Sequence, residues 1–212
     1  MAVARQPTVS RARRAAALVL AAGAGSRFGG VKLLASLEGR PLLQHVLDAV
    51  AAAGLGDVVV VLGDAADEIE AQISWRAERR IRNPHPEAGL SSSLRIGLAA
   101  VAALDHEVAG VLVLLGDQPL VRPDVIARLL DAPRDPARPI VVPRYAAAGG
   151  ANPAFLMRAA WPLADGLTGD RGMGPVIAAH PELVHEVPVV GENPDVDTQE
   201  DLEALGSGGG DR

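Results

Sequence analysis

The sequence predicts an α/β domain, and three observations predict it. Apolar strand segments alternate with helical segments, because AAALVLA is followed by PLLQHVLDAVAAAG and then by DVVVVLG. A glycine-rich loop directly follows the first strand, as in α/β proteins that bind phosphates. The 212 residues are 49% hydrophobic, which is enough to bury one core of ordinary size. We therefore expect one domain over residues 15–206, between a disordered basic tail, 1–14, and a flexible end, 207–212.

The composition excludes several classes of function. The net charge is −6, and no segment clusters the Lys and Arg that neutralise a nucleic-acid backbone, so we expect no nucleic-acid partner. Cysteine is absent, which excludes disulfides, thiolate metal sites and a cysteine nucleophile. No segment is long and apolar enough to span a membrane, and we interpret the arginine-rich start as a tail rather than an export signal. We therefore expect a cytoplasmic protein with no membrane partner.

The loop after the first strand, AAGAGSRFGGVK (21–32), has the composition of an anion site. Its glycines let peptide NH groups line a concave surface, and Arg27 and Lys32 add positive charge. A Walker loop would carry Ser or Thr after its lysine, where Leu33 stands, and a dinucleotide fingerprint would carry glycine at Phe28. A long loop that wraps a triphosphate fits the spacing, and a plain glycine-rich turn is the alternative.

The segment GLSSSLRIGLAAVAAL (89–104) predicts a helix that begins with three serines, Ser91–Ser93. Serine hydroxyls at a helix N-terminus cap NH groups and can also bind a ligand. On the simpler interpretation one serine caps the helix and two are solvated, whereas a position after a strand end favours a ligand contact. We expect Leu94, Leu98 and Val101 on the buried side of this helix.

Carboxylates follow predicted elements in the second half of the chain. Asp117 follows the very apolar strand GVLVLL, at the end where open α/β sheets bind ligands, and its oxygens suit magnesium; a turn-capping aspartate is the alternative. Asp195 and Asp197 alternate on an extended segment, so they cannot face one site equally. Thr198 is expected to cap the last helix, with Asp201 completing an approximate capping box.

Three further strands are predicted in the second half of the chain. RPIVVPRY (138–145) is expected as a strand, and Ala154–Met157 as an edge strand that a short helix follows. LVHEVPVV is expected as the final strand before the closing helix.

Five motifs stand in the order found in one family: LAAGAGSRFGGVK, GLSSSLRIGL, LLGDQPLV, GDRGMGPVI and DVDTQEDL. Together they resemble the nucleotidyltransferases similar to molybdenum cofactor cytidylyltransferase, in the MobA-like NTP transferase superfamily. The resemblance covers nearly all of residues 15–205. It implies a glycosyltransferase-A-like (nucleotide-diphospho-sugar transferase) fold, in which helices flank a mostly parallel sheet in three α/β/α layers. It also implies transfer of CMP from CTP to molybdopterin, with release of pyrophosphate.

The resemblance also implies roles for individual residues. Arg27 and Lys32 would hold the triphosphate and stabilise the leaving pyrophosphate, and Asp117 would place Mg²⁺ on the α-phosphate, with Asp195 or Asp197 completing the metal site. The residues implied in nucleotide binding are Leu20, Ala21, Ala22, Gly23, Gly25, Ser26, Arg27, Lys32, Ser91, Ser92 and Ser93. Those implied in acceptor binding are Asn152, Pro153, Gly169, Asp170 and Arg171. No general base is expected, because the attacking phosphate oxygen is already deprotonated.

The implied partners are CTP, the molybdopterin cofactor, and a molybdoenzyme or its insertion chaperone. The form Ala21-Ala22-Gly23 resembles the cytidine-using branch, whereas guanylyltransferase relatives tend to carry Ala-Gly-Gly. Two alternatives stay open. One is a related NTP transferase that uses GTP or another phosphorylated or alcohol acceptor, and the other is a non-catalytic accessory protein of a molybdoenzyme.

Overall fold

The structure is a computed structural model that describes residues 15–23, 25, 28–104, 106–146 and 150–207. The predicted basic tail, residues 208–212 of the predicted flexible end, and the candidate residues Ser26 and Arg27 lie outside the described residues. No helix in the described ranges is long and apolar enough to cross a membrane.

The strands are β1 (Ala15–Ala21), β2 (Ser36–Leu37), β3 (Arg40–Pro41), β4 (Val58–Leu62), β5 (Arg79–Arg82), β6 (Gly110–Leu115), β7 (Ile140–Tyr145), β8 (Ala154–Met157) and β9 (Val184–Val189). Seven strands of the described chain form one sheet in the order β5-β4-β1-β6-β8-β7-β9. A separate short hairpin pairs β2 with β3. Only β8 runs against the other sheet strands in this part of the chain, so the sheet is mostly parallel.

Helices cover both faces of this sheet. They are α1 (Leu42–Ala52), α2 (Ala66–Gln72), α3 (Leu90–Ala102), α4 (Pro123–Asp131), α5 (Gly174–Ala179) and α6 (Gln199–Ser207), with a 3₁₀ segment over Arg158–Gly166. Alternate residues of β1 point to opposite faces: Val19 packs with α1 and α4, and Leu18 packs with α3. The expected three-layer α/β/α arrangement with a mostly parallel sheet is confirmed.

The prediction that Ala154–Met157 forms an edge strand is wrong. This strand, β8, lies inside the sheet between β6 and β7 and is antiparallel to both. Its central residue Phe155 is completely buried. A four-residue strand of apolar residues fits either an edge or an interior position, and the reversal of the chain after β7 decides between them.

The carboxyl ends of β1, β4, β5 and β6 meet at one edge of the sheet, because these strands are parallel neighbours. A hydrogen bond from Gly116 N to Leu20 O, 2.9 Å long, joins the first residue after β6 to the end of β1. Close packing also brings α3 to this edge. A Cβ on Gly97 would lie 2.3 Å from Leu18 Cδ1, so glycine at this position lets the helix lie directly on β1. The loops that carry the predicted site residues therefore begin close together.

Candidate active site

A cavity of about 530 Å³ opens at these carboxyl strand ends. The glycine loop, the start of α3, the end of β6 and the C-terminal segment all contribute to its wall. Of the residues predicted to bind a nucleotide, those that line it are Ala22, Gly23, Gly25, Lys32 and Ser93. The three predicted metal ligands Asp117, Asp195 and Asp197 line it as well.

Lys32 lies at the centre of the charges in this cavity. Its Nζ donates to Asp117 Oδ2 at 2.5 Å and to Asp197 Oδ1 at 3.0 Å. The residue is only 9% exposed. Burial by itself lowers the pKa of Lys32, but the charges and hydrogen bonds of the two aspartates outweigh burial and raise this pKa above its ordinary value. Lys32 therefore stays charged, and we call Lys32, Asp117 and Asp197 the charged centre.

Backbone geometry sets the position of Lys32 and Asp117. Lys32 begins a 3₁₀ turn over Lys32–Leu34 at the end of the glycine loop. Gly25 has φ +55, and a Cβ there would lie 3.0 Å from Lys32 Cβ, so the loop can pass this close only with glycine. Asp117 stands two residues beyond the end of β6. The glycine loop and the 3₁₀ turn therefore set the position of Lys32, and the end of β6 sets that of Asp117.

The C-terminal segment carries Asp197 to the charged centre. Val196 N donates to Asp117 O at 3.0 Å, and the Val196 side chain is buried with Phe28 in a small apolar cluster. Thr198 and Asp201 form the expected reciprocal cap of α6: Thr198 N donates to Asp201 Oδ2 at 2.7 Å, and Asp201 N donates to Thr198 Oγ1 at 3.2 Å. This prediction is confirmed, and the cap anchors the segment directly after Asp197.

Asp195 has a different partner from Asp197. Gln118 Nε2 donates to Asp195 Oδ1 at 2.8 Å, and Asn193 Nδ2 donates to Gln118 Oε1 at 3.1 Å. Gln118 and Asn193 are both buried. Burial raises the pKa of Asp195, and the neighbouring charges of Asp117 and Asp197 add to the rise. The alternation of these two aspartates along the chain thus turns each toward its own partner.

The carboxylates of this site suit a divalent cation only together with oxygen atoms from a bound substrate and from water. Within the described ranges, no group of three or more His, Cys, Asp and Glu side chains is arranged to hold a metal. Asp117 and Asp197 nevertheless converge on one cation, Lys32 Nζ. Mg²⁺ in such sites takes one or two carboxylates, and substrate phosphates and waters supply its other oxygens. The donor set therefore fits a metal that arrives with a nucleotide.

The three serines at the start of α3 are all buried, so the interpretation with two solvated serines is wrong. Gly89 occupies the capping position, and no side chain caps the helix. Asn83, which the sequence analysis missed, donates from Nδ2 to Ser92 Oγ at 2.7 Å and to Ser93 Oγ at 2.9 Å. We call Asn83, Ser92 and Ser93 the serine cluster. The Asn-Pro step after β5 is the sequence signal that could have drawn attention to Asn83.

The remaining nucleotide candidates lie outside the main cavity. The Ser91 side chain is buried and, among the described residues, its hydroxyl has no hydrogen-bond partner. Ala21 borders a separate cavity beside the end of β4, and Leu20 borders a smaller cavity next to the main one. The expected burial of Leu94, Leu98 and Val101 is confirmed.

Three of the five predicted acceptor residues border that smaller cavity of about 230 Å³. Asn152, Asp170 and Arg171 line it, and Asp170 also lines the main cavity, so the two spaces adjoin. Pro153 and Gly169 line neither cavity. Gly169 instead packs on Gly89: a Cβ on Gly89, which has φ +83, would lie 2.3 Å from Gly169 C.

Two hydrogen bonds hold the Gly169 loop against the start of α3. Ser91 N donates to Gly169 O at 3.0 Å, and Arg95 Nη1 donates to Leu167 O at 2.7 Å. A further bond, from Tyr145 Oη to Asn152 O at 3.2 Å, ties the other acceptor loop to the end of β7. The candidate nucleotide and acceptor loops are thus packed as neighbours.

Comparison with known proteins identifies similar sequences and folds. The chain is 36% identical over 119 residues to the bifunctional protein GlmU of Desulfitobacterium hafniense, a match that covers 54% of this chain and 24% of the relative. It is 37% identical over 117 residues to GlmU of Bordetella petrii, covering 54% of this chain and 25% of that protein. The matched region thus spans about a quarter of the length of these relatives.

The most informative solved structures match over nearly their whole length. Rv0371c of Mycobacterium tuberculosis is 29% identical with a TM-score of 0.78, and the match covers 92% of this chain and 97% of that one. Its complex with manganese is 30% identical with a TM-score of 0.77, over 92% and 98% of the two chains. A nucleotidyl transferase from Methanothermobacter, 23% identical with a TM-score of 0.71 over 92% and 97%, shares the fold.

The family comparison agrees with the fold and with the motif order. Residues 17–186 match the MobA-like NTP transferase domain, which covers β1, the glycine loop, α3 and the end of β6. The chain therefore belongs to the MobA-like NTP transferase family and carries a nucleotidyltransferase domain of that type.

Proposed function

We propose that the protein transfers CMP from CTP to the phosphate of molybdopterin, releasing pyrophosphate with the help of Mg²⁺. The observation that carries this proposal is the charged centre. Lys32 forms ion pairs with Asp117 and Asp197 in a cavity of about 530 Å³. The glycine loop of the nucleotidyltransferase domain lines the same cavity. One cationic side chain and two converging carboxylates suit a triphosphate that arrives with a divalent cation.

The proposed reaction needs charge neutralisation and positioning, without a general base. The acceptor phosphate oxygen attacks the α-phosphorus and forms a new P–O bond, while the bond to the bridging oxygen of the β-phosphate breaks. That oxygen nucleophile is already deprotonated, so no proton has to move. Lys32 binds the phosphates and offsets the charge of the leaving pyrophosphate. Arg27, which lies outside the described residues, is proposed to assist it.

Asp117 and Asp197 are the proposed ligands of the metal, because they converge on the position that the Lys32 ammonium occupies. A bound Mg²⁺ supplies charge neutralisation at the α-phosphate. The manganese complex of Rv0371c supports the choice of a divalent cation. Asp195, held by Gln118, is the less favoured ligand of the two alternating aspartates.

The acceptor is proposed to bind in the adjoining cavity of about 230 Å³. Arg171 supplies a positive charge for its phosphate, and Asn152 and Asp170 supply polar contacts. Leu20, Leu94 and Met173 give the same space an apolar side that suits a ring system. A molybdoenzyme or its insertion chaperone is the proposed recipient of the product.

The experiment measures pyrophosphate release from CTP, GTP and ATP with Mg²⁺, with and without molybdenum cofactor. We expect release from CTP that depends on the acceptor. A preference for GTP would assign the protein to guanylyl transfer instead. Tight CTP binding without release would contradict the molybdopterin acceptor and favour another acceptor or an accessory role.

A further inference from the structure

A chain of hydrogen bonds links the walls of the two adjoining cavities. It begins at Asp195, which lines the main cavity, and ends at Asn152, which lines the smaller one. Gln118 Nε2 donates to Asp195 Oδ1 at 2.8 Å, and Asn193 Nδ2 donates to Gln118 Oε1 at 3.1 Å. At the other end, Tyr145 Oη donates to the main-chain oxygen of Asn152 at 3.2 Å. We call these five residues the amide chain.

A hydrogen bond between Asn193 and Tyr145 joins the two halves of the amide chain. Burial raises the pKa of Tyr145 to about 12, and a hydrogen bond with the Asn193 side chain opposes this rise. A hydrogen bond lowers the pKa of a phenol when the partner donates to the phenol oxygen, because it then favours the phenolate. Asn193 is therefore the donor to Tyr145 as well as to Gln118.

The two ends of the amide chain determine the direction of every bond in it. A carboxylate only accepts, so Gln118 turns its NH₂ end to Asp195 and its carbonyl to Asn193. A peptide carbonyl also only accepts, so Tyr145 uses its one proton on Asn152 and presents lone pairs to Asn193. The residue in the middle must therefore donate in both directions, and the NH₂ group of an asparagine carries the two protons that this requires.

The other atom of the Asn193 amide fits this interpretation. Asn193 is 2% exposed, and its Oδ1 is buried with no hydrogen-bond partner among the residues that the structure describes. Turning the amide over would place this oxygen against Gln118 Oε1, so two acceptors would face each other. A buried carbonyl without a partner costs free energy, so the two donated bonds, and not the oxygen, hold the amide in place.

We propose that Asn193 is a positioning residue that holds the loop carrying Asn152 at a fixed place relative to Asp195, and so holds the acceptor in line with the nucleotide. The proposal rests on the proposed function in that the smaller cavity takes the acceptor. Attack requires the acceptor oxygen within about 3 to 3.5 Å of the α-phosphorus, so a small displacement of this loop reduces productive binding. Gln118, Asn193 and Tyr145 line neither cavity, and they act through the two residues that do.

The test measures, for variants of the full chain, the KM for molybdenum cofactor in pyrophosphate release and the affinity for CTP in calorimetry. Asn193→Leu retains the approximate shape and removes both donors. We expect its acceptor KM to rise about tenfold, while the CTP affinity changes by less than about twofold. Tyr145→Phe removes only the hydroxyl that bonds to Asn152, and its acceptor KM should rise about fivefold.

Gln44→Met is the matched control, because Gln44 is a buried amide in a similar bridge on α1. Gln44 Nε2 donates to Asp48 Oδ1 at 3.0 Å, and Ser74 N donates to Gln44 Oε1 at 2.8 Å. Gln44 lines neither cavity. The control should lower the thermal unfolding temperature, as Asn193→Leu does, without raising the acceptor KM.

Amide hydrogen exchange gives a second readout that needs no acceptor. We expect the Asn152 amide to exchange about tenfold faster in Asn193→Leu and in Tyr145→Phe than in wild type, measured by nuclear magnetic resonance. Exchange at Asn152 should not change in Gln44→Met. If Asn193→Leu does not fold, Tyr145→Phe decides both readouts.

The outcomes separate this inference from the proposed function. An unchanged acceptor KM in Asn193→Leu and Tyr145→Phe overturns the inference, and so does a loss of CTP affinity equal to the rise in KM. A similar rise of KM in Gln44→Met also overturns it, because the effect would then follow from lost stability alone. A wild-type chain that never transfers CMP to molybdenum cofactor contradicts the proposed function. Exchange at Asn152 then decides the inference: faster exchange supports it and unchanged exchange overturns it.

Discussion

The charged centre and Ser93 of the serine cluster line the same cavity, but the two groups are assembled in different ways. Lys32 is separated from Asp117 by 85 residues and from Asp197 by 165. Asn83 is separated from its serines by only 9 and 10 residues. The first group depends on the order of strands in the sheet, whereas one turn between β5 and α3 builds the second.

The two groups also differ in their electrostatics. The charged centre contains one cation and two anions, so removing Lys32 leaves two carboxylates without their cation in a partly buried place, whereas removing one aspartate leaves a one-to-one ion pair. The serine cluster is neutral, and the loss of one member costs a hydrogen bond. We therefore expect changes in the charged centre to cost more activity and stability than changes in the serine cluster.

The largest expected effect comes from Asp117→Asn. The amide keeps the shape but removes the negative charge, so we expect the rate of CMP transfer to fall by about a thousandfold. Measurement of pyrophosphate release checks this. Asp124→Asn is the matched control, because Asp124 forms an exposed ion pair with Arg122 at the start of α4, and its loss should leave the rate unchanged. A normal rate in Asp117→Asn would rule out the proposed metal ligand.

Lys32→Met should have the next largest effect. Lys32 is the only lysine of the sequence, and methionine retains its apolar length without its charge. We expect CTP affinity to fall by about a hundredfold, since the triphosphate loses a buried cation. The free energy of unfolding should fall by about 1 to 2 kcal/mol, because Asp117 and Asp197 then repel each other. Calorimetry and urea unfolding measure the two effects, and an unchanged affinity would contradict the role of Lys32.

Gln118→Met tests the comparison further, because the neutral amide of Gln118 donates a hydrogen bond to the carboxylate of Asp195. The variant removes the donor to Asp195 and the acceptor for Asn193 while retaining much of the volume. We expect CMP transfer to slow by about tenfold, with a loss of about 1 to 3 kcal/mol in the free energy of unfolding. Pyrophosphate release and urea unfolding measure the two effects. An unchanged rate and an unchanged free energy of unfolding would contradict the supporting role of Gln118.

The smallest effect is expected at alkaline pH. Burial raises the pKa of Tyr145, the only tyrosine, to about 12 from the ordinary value of 10.0, although a hydrogen bond with Asn193 opposes the shift. Because its folded pKa is the higher one, its stabilisation is complete below pH 10 and is lost as the pH rises through about 12. Lys32, whose pKa is also raised, loses its contribution above its ordinary value of 10.5.

Ultraviolet titration of tyrosinate measures the ionisation of Tyr145 as a single step. The free energy of unfolding should decline over the same alkaline range, and Tyr145→Phe should show a weaker decline. Ionisation near the ordinary value in the folded protein would contradict the described burial of Tyr145. The serine cluster contains no group that ionises in this range, so its hydrogen bonds should be unaffected.

Much of the fold was predictable because its strands, loops and helices depend on local sequence patterns. The apolar run of β1, the glycine loop and the periodicity of α3 all predicted elements that the structure contains. The reciprocal cap of Thr198 and Asp201 was predictable for the same reason, since its partners are three residues apart. The roles of Lys32, Asp117 and the other candidate site residues stay predictions for the experiments above.

What the sequence by itself determined is the alternation of strands and helices and the loops that follow them, because side-chain period and turn residues act over a few positions. Only the tertiary structure decided the interior place of β8 and the separate partners of Asp195 and Asp197. Those features depend on which strands become neighbours and on which side chains the C-terminal segment meets at the end of β6 and the glycine loop. Such choices follow from the packing of distant segments, which no local pattern records.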